Sequence, residues 1–164
     1  MTFDKREFRN AMGLFATGVT VVTSGNDPNF HGMTANAFSS VSLVPPLILV
    51  CVDKNTHMLG VLKESGAFTV NFLSAEQLDI SNYFASSDRE KGEAEFSDIN
   101  YTIGETGTPH IQGAICIVDC VVHDVTDAGD HDIYIGEVKA ITSTPEDNPL
   151  IYFGGGYREL SAKK

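Results

Sequence analysis

Residues 31–73 read HGMTANAFSSVSLVPPLILVCVDKNTHMLGVLKESGAFTVNFL, and the order of small, apolar and turn-forming residues in this stretch decides the fold. Gly32 to Ser42 carries few large side chains and reads as a small-residue, hydroxyl-rich loop. Pro45-Pro46 sets an extended approach to Leu47–Val52, which is apolar on both faces and therefore a central or barrel-forming strand. Asp53 to Thr56 is a polar turn, with Asn55 or Thr56 as the N-cap of a helix over His57–Ser65. That helix sends Met58, Leu59 and Leu62 inward and stops at Gly66, and Ala67–Leu73 follows as a second buried strand. Loop, strand, polar turn and helix start form a cradle suited to a flat, phosphorylated ligand, because free N–H groups and the dipole at a helix N-terminus attract an anion.

Working outward, Asp4 caps a helix expected to run to about Ala16, with Phe8, Met12 and Phe15 on its buried face and Gly18 ending it. Val19–Ser24 is a β-branched strand. The turn Gly25 to Pro28 and a strand from about His31 complete an early hairpin. On the other side, Ser74 or Ala75 starts a helix with Leu78, Ile80, Tyr83 and Phe84 apolar. Ser86 to Asn100 is polar and charged and reads as a mobile surface loop, whose cations Arg89 and Lys91 are within reach of a phosphate. Ala114–Val125 and His131–Ser143 are antiparallel mates across the turn Asp127 to Asp130, and Leu150–Phe153 is a last short strand. Gly154 to Gly156 is a flexible run and no P-loop, since no GK[ST] follows. About seven strands with few long helices predict a mainly β fold, an antiparallel barrel with peripheral helices, in a single domain over 1–164.

Composition narrows the function classes. The chain has 164 residues and a formal net charge of -11, which argues against nucleic acid or an anionic membrane surface as main partner. The charged N-terminus lacks a signal-peptide core and the longest apolar run is too short to span a bilayer, so a cytoplasmic protein is expected. Cys51, Cys116 and Cys120 form no CxxC pair and read as buried free thiols. Cys116 and Cys120 would lie about 13 Å apart on an extended strand, too far for one zinc ion.

Four motifs, FATGVTVVT (Phe15 to Thr23), GMTANAFSSVSLVPPLILVCV (Gly32 to Val52), GDHDIYIGEV (Gly129 to Val138) and PLIYFGGGY (Pro149 to Tyr157), span nearly the whole chain. Through them the chain resembles the short-chain flavin reductases, the NAD(P)H-dependent reductase components of two-component flavin monooxygenases. The resemblance implies an FMN-binding split β-barrel of Greek-key-like topology, a homodimer, and hydride transfer from NADH or NADPH to FMN or FAD for a partner monooxygenase. It implies that Gly32, Met33, Thr34, Ala35 and Asn36 line the flavin ring and ribityl chain, together with Phe38, Ser39, Ser40 and Val41. Asp53, Lys54, Asn55, Thr56 and His57 would hold the phosphate, although the family often has serine where Asn55 stands. His131 would lie nearest the nicotinamide, positioning and polarising its amide, and Tyr157 would close over the same face. Phe84 and Arg89 are further candidates. An acidic chain with few arginines leans towards NADH. The alternatives are a non-catalytic flavin-binding module and an oxidase of the pyridoxamine phosphate type, the latter disfavoured by the lack of an Arg-rich substrate site.

Overall fold

The computed structural model describes residues 4–144 and 148–160. Helix α1 (Lys5–Met12) and the short strand β1 (Thr17–Gly18) precede a hairpin of β2 (Thr20–Asn26) and β3 (Asn29–Ala35). A second hairpin, β4 (Phe38–Leu43) and β5 (Pro46–Asp53), leads to α2 (His57–Ser65) and β6 (Ala67–Phe72). A 3-10 turn at Ala75–Gln77 runs into α3 (Leu78–Ala85), and another occupies Gly92–Phe96. Then come the short pair β7 (Tyr101–Ile103) and β8 (Pro109–Ile111), the long hairpin β9 (Cys116–Ala128) and β10 (His131–Ser143), and the hairpin β11 (Ile151–Phe153) and β12 (Gly156–Arg158).

The main sheet is antiparallel throughout, in the order β3-β2-β6-β9-β10-β5-β4. Its two edges, β3 and β4, are consecutive in the chain and joined by Asn36 and Ala37 alone. Three Cα steps reach about 11 Å, whereas the edges of a flat sheet of this order would stand about 29 Å apart. The sheet must therefore curl until its edges meet at Asn36-Ala37, giving an open barrel. Within it the β9–β10 hairpin inserts between β6 and β5, a Greek-key-like arrangement.

Strand alternation builds two cores. On β2, Val22 faces the barrel interior with Val50, Val52, Phe68, Val70 and Tyr134, which α2 seals with Met58 and Leu62. Val21 faces the other way, packing with Phe30, Leu73, Phe84, Phe96 and Ile111 under α3 and the segment that follows it. Gly136 admits the Phe68 ring, since a Cβ there would lie 2.5 Å from Phe68 and 2.9 Å from Cys120.

Four expectations need correction. Gly32 to Ser42 is no loop: it forms the end of β3 and most of β4, because its Thr, Ser and Val residues suit an extended ladder. The first helix stops at Gly13, and Phe8, Met12 and Phe15 are 56, 56 and 78% exposed, since among the described residues no other element covers that face. Ser86 to Asn100 is anchored by Glu95 and Phe96, which are both buried. Gly154 and Gly155 form the tight turn of a hairpin, with φ of 61° and 79°, where a freely flexible run was expected. The thiols also differ in degree: Cys120 is buried, while Cys51 and Cys116 are half-buried. Among the described residues no helix is long and apolar enough to cross a membrane.

A polar pin fastens β9 to the turn between β7 and β8. Asp119 is fully buried opposite Thr69, and its carboxylate accepts hydrogen bonds from Thr69 Oγ1 (3.0 Å), the Thr106 amide (3.1 Å) and the Thr106 hydroxyl. Burial pushes its pKa up, but His110 and the Thr106 and Thr69 donors outweigh that and hold it well below the usual carboxylate range. A depressed folded-state pKa stabilises the protein above the unfolded carboxyl pKa, and this contribution is lost as pH falls through the folded value. Asp119→Asn should therefore cost about 3 kcal/mol at neutral pH, with a smaller difference below about pH 4. Urea midpoints of the two proteins across that range check the expectation.

Candidate functional site

β3 is the floor of a trough made of three linked cavities. The first, about 300 Å³, lies between β3, the turn into α2, and the end of α3 with the segment behind it. His31, Met33, Asn55, Thr56, His57, Phe84, Ser86, Ser87, Arg89 and Lys91 line it. The second, about 260 Å³, shares Ala85 with the first and is lined by Thr34, Ala35, Asn36, Tyr152 and Tyr157. The third, about 530 Å³, shares Val19 and Asn36 with the second and is walled mainly by apolar groups, among them Phe15, Phe38, Leu49, Phe72 and Leu150. From His31 to Asn36 the floor is about 16 Å long. One end is cationic and rich in donors, and the other is apolar.

Local chemistry shapes the cationic end. Asp53 Oδ1 accepts from the amide and the side-chain nitrogen of Asn55 (2.8 and 3.1 Å), which turns the chain sharply after β5. The Thr56 hydroxyl donates to Asp53 O (2.7 Å) and does not cap α2, leaving the first amides of that helix free for an anion. The His57 pKa is lowered by partial burial and by the neighbouring His31 and Lys91, so the ring is neutral at neutral pH. His31 meets it edge-on, ring centres 4.8 Å apart.

Beneath these groups lies a carboxylate. Glu95 is fully buried and accepts from the Gly32 amide (3.0 Å) and Arg89 Nε (3.0 Å), and its Oε2 pairs with His31 Nδ1 (2.7 Å). Burial raises its pKa, but His31, the Gly32 amide and Arg89 together bring it below the ordinary glutamate value. Arg89 also donates to the Ser86 and Gly32 carbonyls and sits over the Phe84 ring at 5.7 Å.

The residues expected from the sequence separate into groups. Met33, Asn55, Thr56, His57, Phe84 and Arg89 meet at the cationic end, and Thr34, Ala35, Asn36 and Tyr157 line the middle. Thr34 donates to Ser81 O (2.7 Å), and the Tyr157 hydroxyl pairs with Ser81 Oγ (2.8 Å), so both also tie the floor to α3. Phe38 lies at the apolar end. Gly32 is buried under Phe84. Ser39, Ser40 and Val41 run along the exposed edge strand β4 and line none of these cavities. Lys54 turns away to Asp127 (2.5 Å), Gly129 O (2.8 Å) and Asp132 (3.5 Å), bracing β5 against the β9–β10 turn. His131 pairs with Asp130 (2.8 Å) on the rim opposite Asp53, outside the trough of its own chain. Sequence reading missed Ser86, Ser87 and Tyr152 as wall residues, and missed Glu95 entirely. The signal for the serines was their place directly after α3, ahead of Arg89 and Lys91.

A curled antiparallel sheet with a trough that is rich in donors and cations at one end and apolar at the other suits nucleotide-like ligands that carry a flat ring system. The comparisons make this specific: residues 12–161 match the flavin reductase like domain, and the chain belongs to that family. It is 39% identical over 160 residues to the NADH-dependent FAD reductase of Streptomyces globisporus, covering 96% of this chain and 87% of that protein. It is 35% identical to the flavin-dependent monooxygenase reductase subunit HsaB of Mycobacterium tuberculosis, over 98% of this chain and 85% of that one. The solved structure of the NADH:FAD oxidoreductase SgcE6 of Streptomyces globisporus superposes with a TM-score of 0.93 at 38% identity, covering 99% of this chain and 96% of that chain. These structural relatives carry the split-barrel fold expected from the sequence.

Two glycines provide a contrast. A Cβ on Gly32 would sit 2.3 Å from the buried Phe84 ring, whereas one on Gly60, within α2, meets nothing within 4 Å. Gly32→Ala should cost about 1–3 kcal/mol by displacing Phe84, while Gly60→Ala should gain up to about 1 kcal/mol from helix propensity. Thermal unfolding of the two variants checks the opposite signs.

Proposed function

We propose that this chain is an NADH-dependent flavin reductase that passes hydride to FMN or FAD and releases reduced flavin to a separate monooxygenase. The observation that carries the reading is the polarity of the trough. Its cationic end suits a phosphate, and its apolar end suits a ring system. The flavin, when bound, supplies N5 as hydride acceptor, and the reduced nicotinamide supplies the hydride from C4.

The protein's part is positioning and exclusion of water. The free amides of α2, Asn55, Ser86, Ser87, His57 and Lys91 hold the phosphate. Thr34, Ala35 and Asn36 present backbone along the ribityl chain, and Phe38 and its apolar neighbours take the ring. Asp53 shapes the phosphate turn, and Lys54 braces it. Names of relatives support the donor and the partner: one is an NADH-dependent FAD reductase, and another is the reductase subunit of a monooxygenase. Three free cysteines agree with a cytoplasmic setting. The whole chain, 1–164, acts as one unit.

A homodimer completes the site in this reading. The exposed apolar face of α1 (Phe8, Met12), with Phe15 at the mouth of the apolar cavity, is suited to burial against a second copy. Ser39, Ser40 and Val41 on the open edge strand and His131 on the rim would then face the partner's trough, where His131 orients the nicotinamide amide.

Two measurements test this. Catalytic amounts of protein should oxidise NADH only when flavin is added, with saturation in flavin; a protein that binds flavin yet oxidises no NADH would instead be a binding module. Lys91→Ala should raise the KM for FMN about tenfold with kcat little changed. The second measurement concerns His57. A phosphate dianion beside it raises its depressed pKa, so FMN binding takes up a proton and tightens as pH falls towards the ordinary histidine range. Calorimetry in buffers of different ionisation enthalpy should show that uptake in the wild type and its loss in His57→Asn.

A further inference from the structure

Glu95 presents a puzzle: a fully buried carboxylate directly behind an anion-binding cavity opposes the anion by Coulomb repulsion. Its bonds give the reason. One oxygen takes Arg89 Nε and the Gly32 amide, and the other takes His31 Nδ1. Arg89 and His31 belong to different segments, and both line the cavity. We infer that Glu95 is a positioning residue, which fixes Arg89 and His31 in the geometry that admits a ribityl phosphate. This rests on the phosphate reading of the cationic end.

The consequences run through each arm. Arg89 uses Nε on Glu95, one amino group on Ser86 O and the other on Gly32 O. It thereby holds the Ser86-Ser87 segment at the cavity wall, and it stacks on Phe84, which in turn lies over Gly32. With Nδ1 held by Glu95, the His31 ring can turn only about that bond, and its edge supports His57. The Tyr83 hydroxyl donates to Glu95 O (2.7 Å), which secures the carboxylate's own backbone to α3. One buried charge thus aligns the cationic and hydroxyl donors before any ligand arrives. Pre-organisation of this kind strengthens binding by removing the ordering cost. Without the charge, Arg89 loses its best partner and the two serines lose their tether.

The test is Glu95→Gln, nearly isosteric and uncharged, assayed with FMN and with riboflavin, which lacks the phosphate. The expected result is FMN affinity weakened at least about tenfold, riboflavin affinity unchanged, and KM for FMN raised with kcat at saturation retained. Tightened FMN binding would mean the charge merely repels the ligand and would overturn the inference. Equal weakening of both flavins would reduce Glu95 to general structural support and also overturn it. If Glu95→Gln does not fold, Arg89→Lys is read the same way, since it keeps the cation and loses the fork that spans Glu95, Gly32 and Ser86. Wild-type protein that fails to prefer FMN over riboflavin would sink the phosphate reading itself, independently of either variant.

Discussion

The constraint on which this fold depends is the Asn36-Ala37 corner. Consecutive strands at opposite edges of one sheet, joined by two residues, leave the sheet no choice but to curl. Small residues are needed at such a corner, and Asn36, Ala37 and the serines after them supply little bulk. The same curl draws β3 alongside α3 and the C-terminal hairpin, so the floor of the trough comes from the geometry that closes the barrel. Structure and site are one requirement here: a bulky side chain at Ala35 or Ala37 would crowd both the corner and the space along the trough.

The site also shows how a strongly acidic chain can receive an anion. The net charge of -11 repels polyanions at long range, but that field is screened beyond roughly 8–10 Å in physiological salt. Inside the cavity the near groups decide. Arg89, Lys91, the α2 amides and two hydroxyls stand close, while the carboxylate of Glu95 behind them is paired with Arg89 and His31. In the reading proposed above, a repulsive exterior and an attractive pocket would favour a small phosphorylated ligand over nucleic acid.

Much of this was legible in residues. The strand Leu47–Val52, the helix His57–Ser65 with its Gly66 stop, and the hairpin whose second strand starts at His131 all follow from apolar runs bounded by turn residues. Small β-branched and hydroxyl residues misled the reading of Gly32 to Ser42, because Thr and Ser suit loops and exposed strands alike, and only pairing with β2 and β5 separates the two. Glu95 was hidden for a related reason. Within SSDREKGEAEF nothing local distinguishes it from Glu90 or Glu93; its burial depends on His31 and Gly32, more than sixty residues earlier. Long-range polar pairing has no periodic signature. The same holds for Asp119, which sits in the apolar run AICIVDCVV, where its neighbours foretell burial but not its partners.

The placement of His131 carries the last step. Its hairpin motif pointed to the nicotinamide, and it stands on the rim paired with Asp53, two residues along β5 from Cys51 in the wall of the large apolar cavity. In the homodimer proposed above it would also face the trough of a second copy, because a two-fold axis brings unlike ends of the same surface together. The unpartnered face of α1, the open edge of β4 and an outlying histidine then have a common explanation. In that proposed homodimer each would be half of a contact, and two chains together would complete the trough.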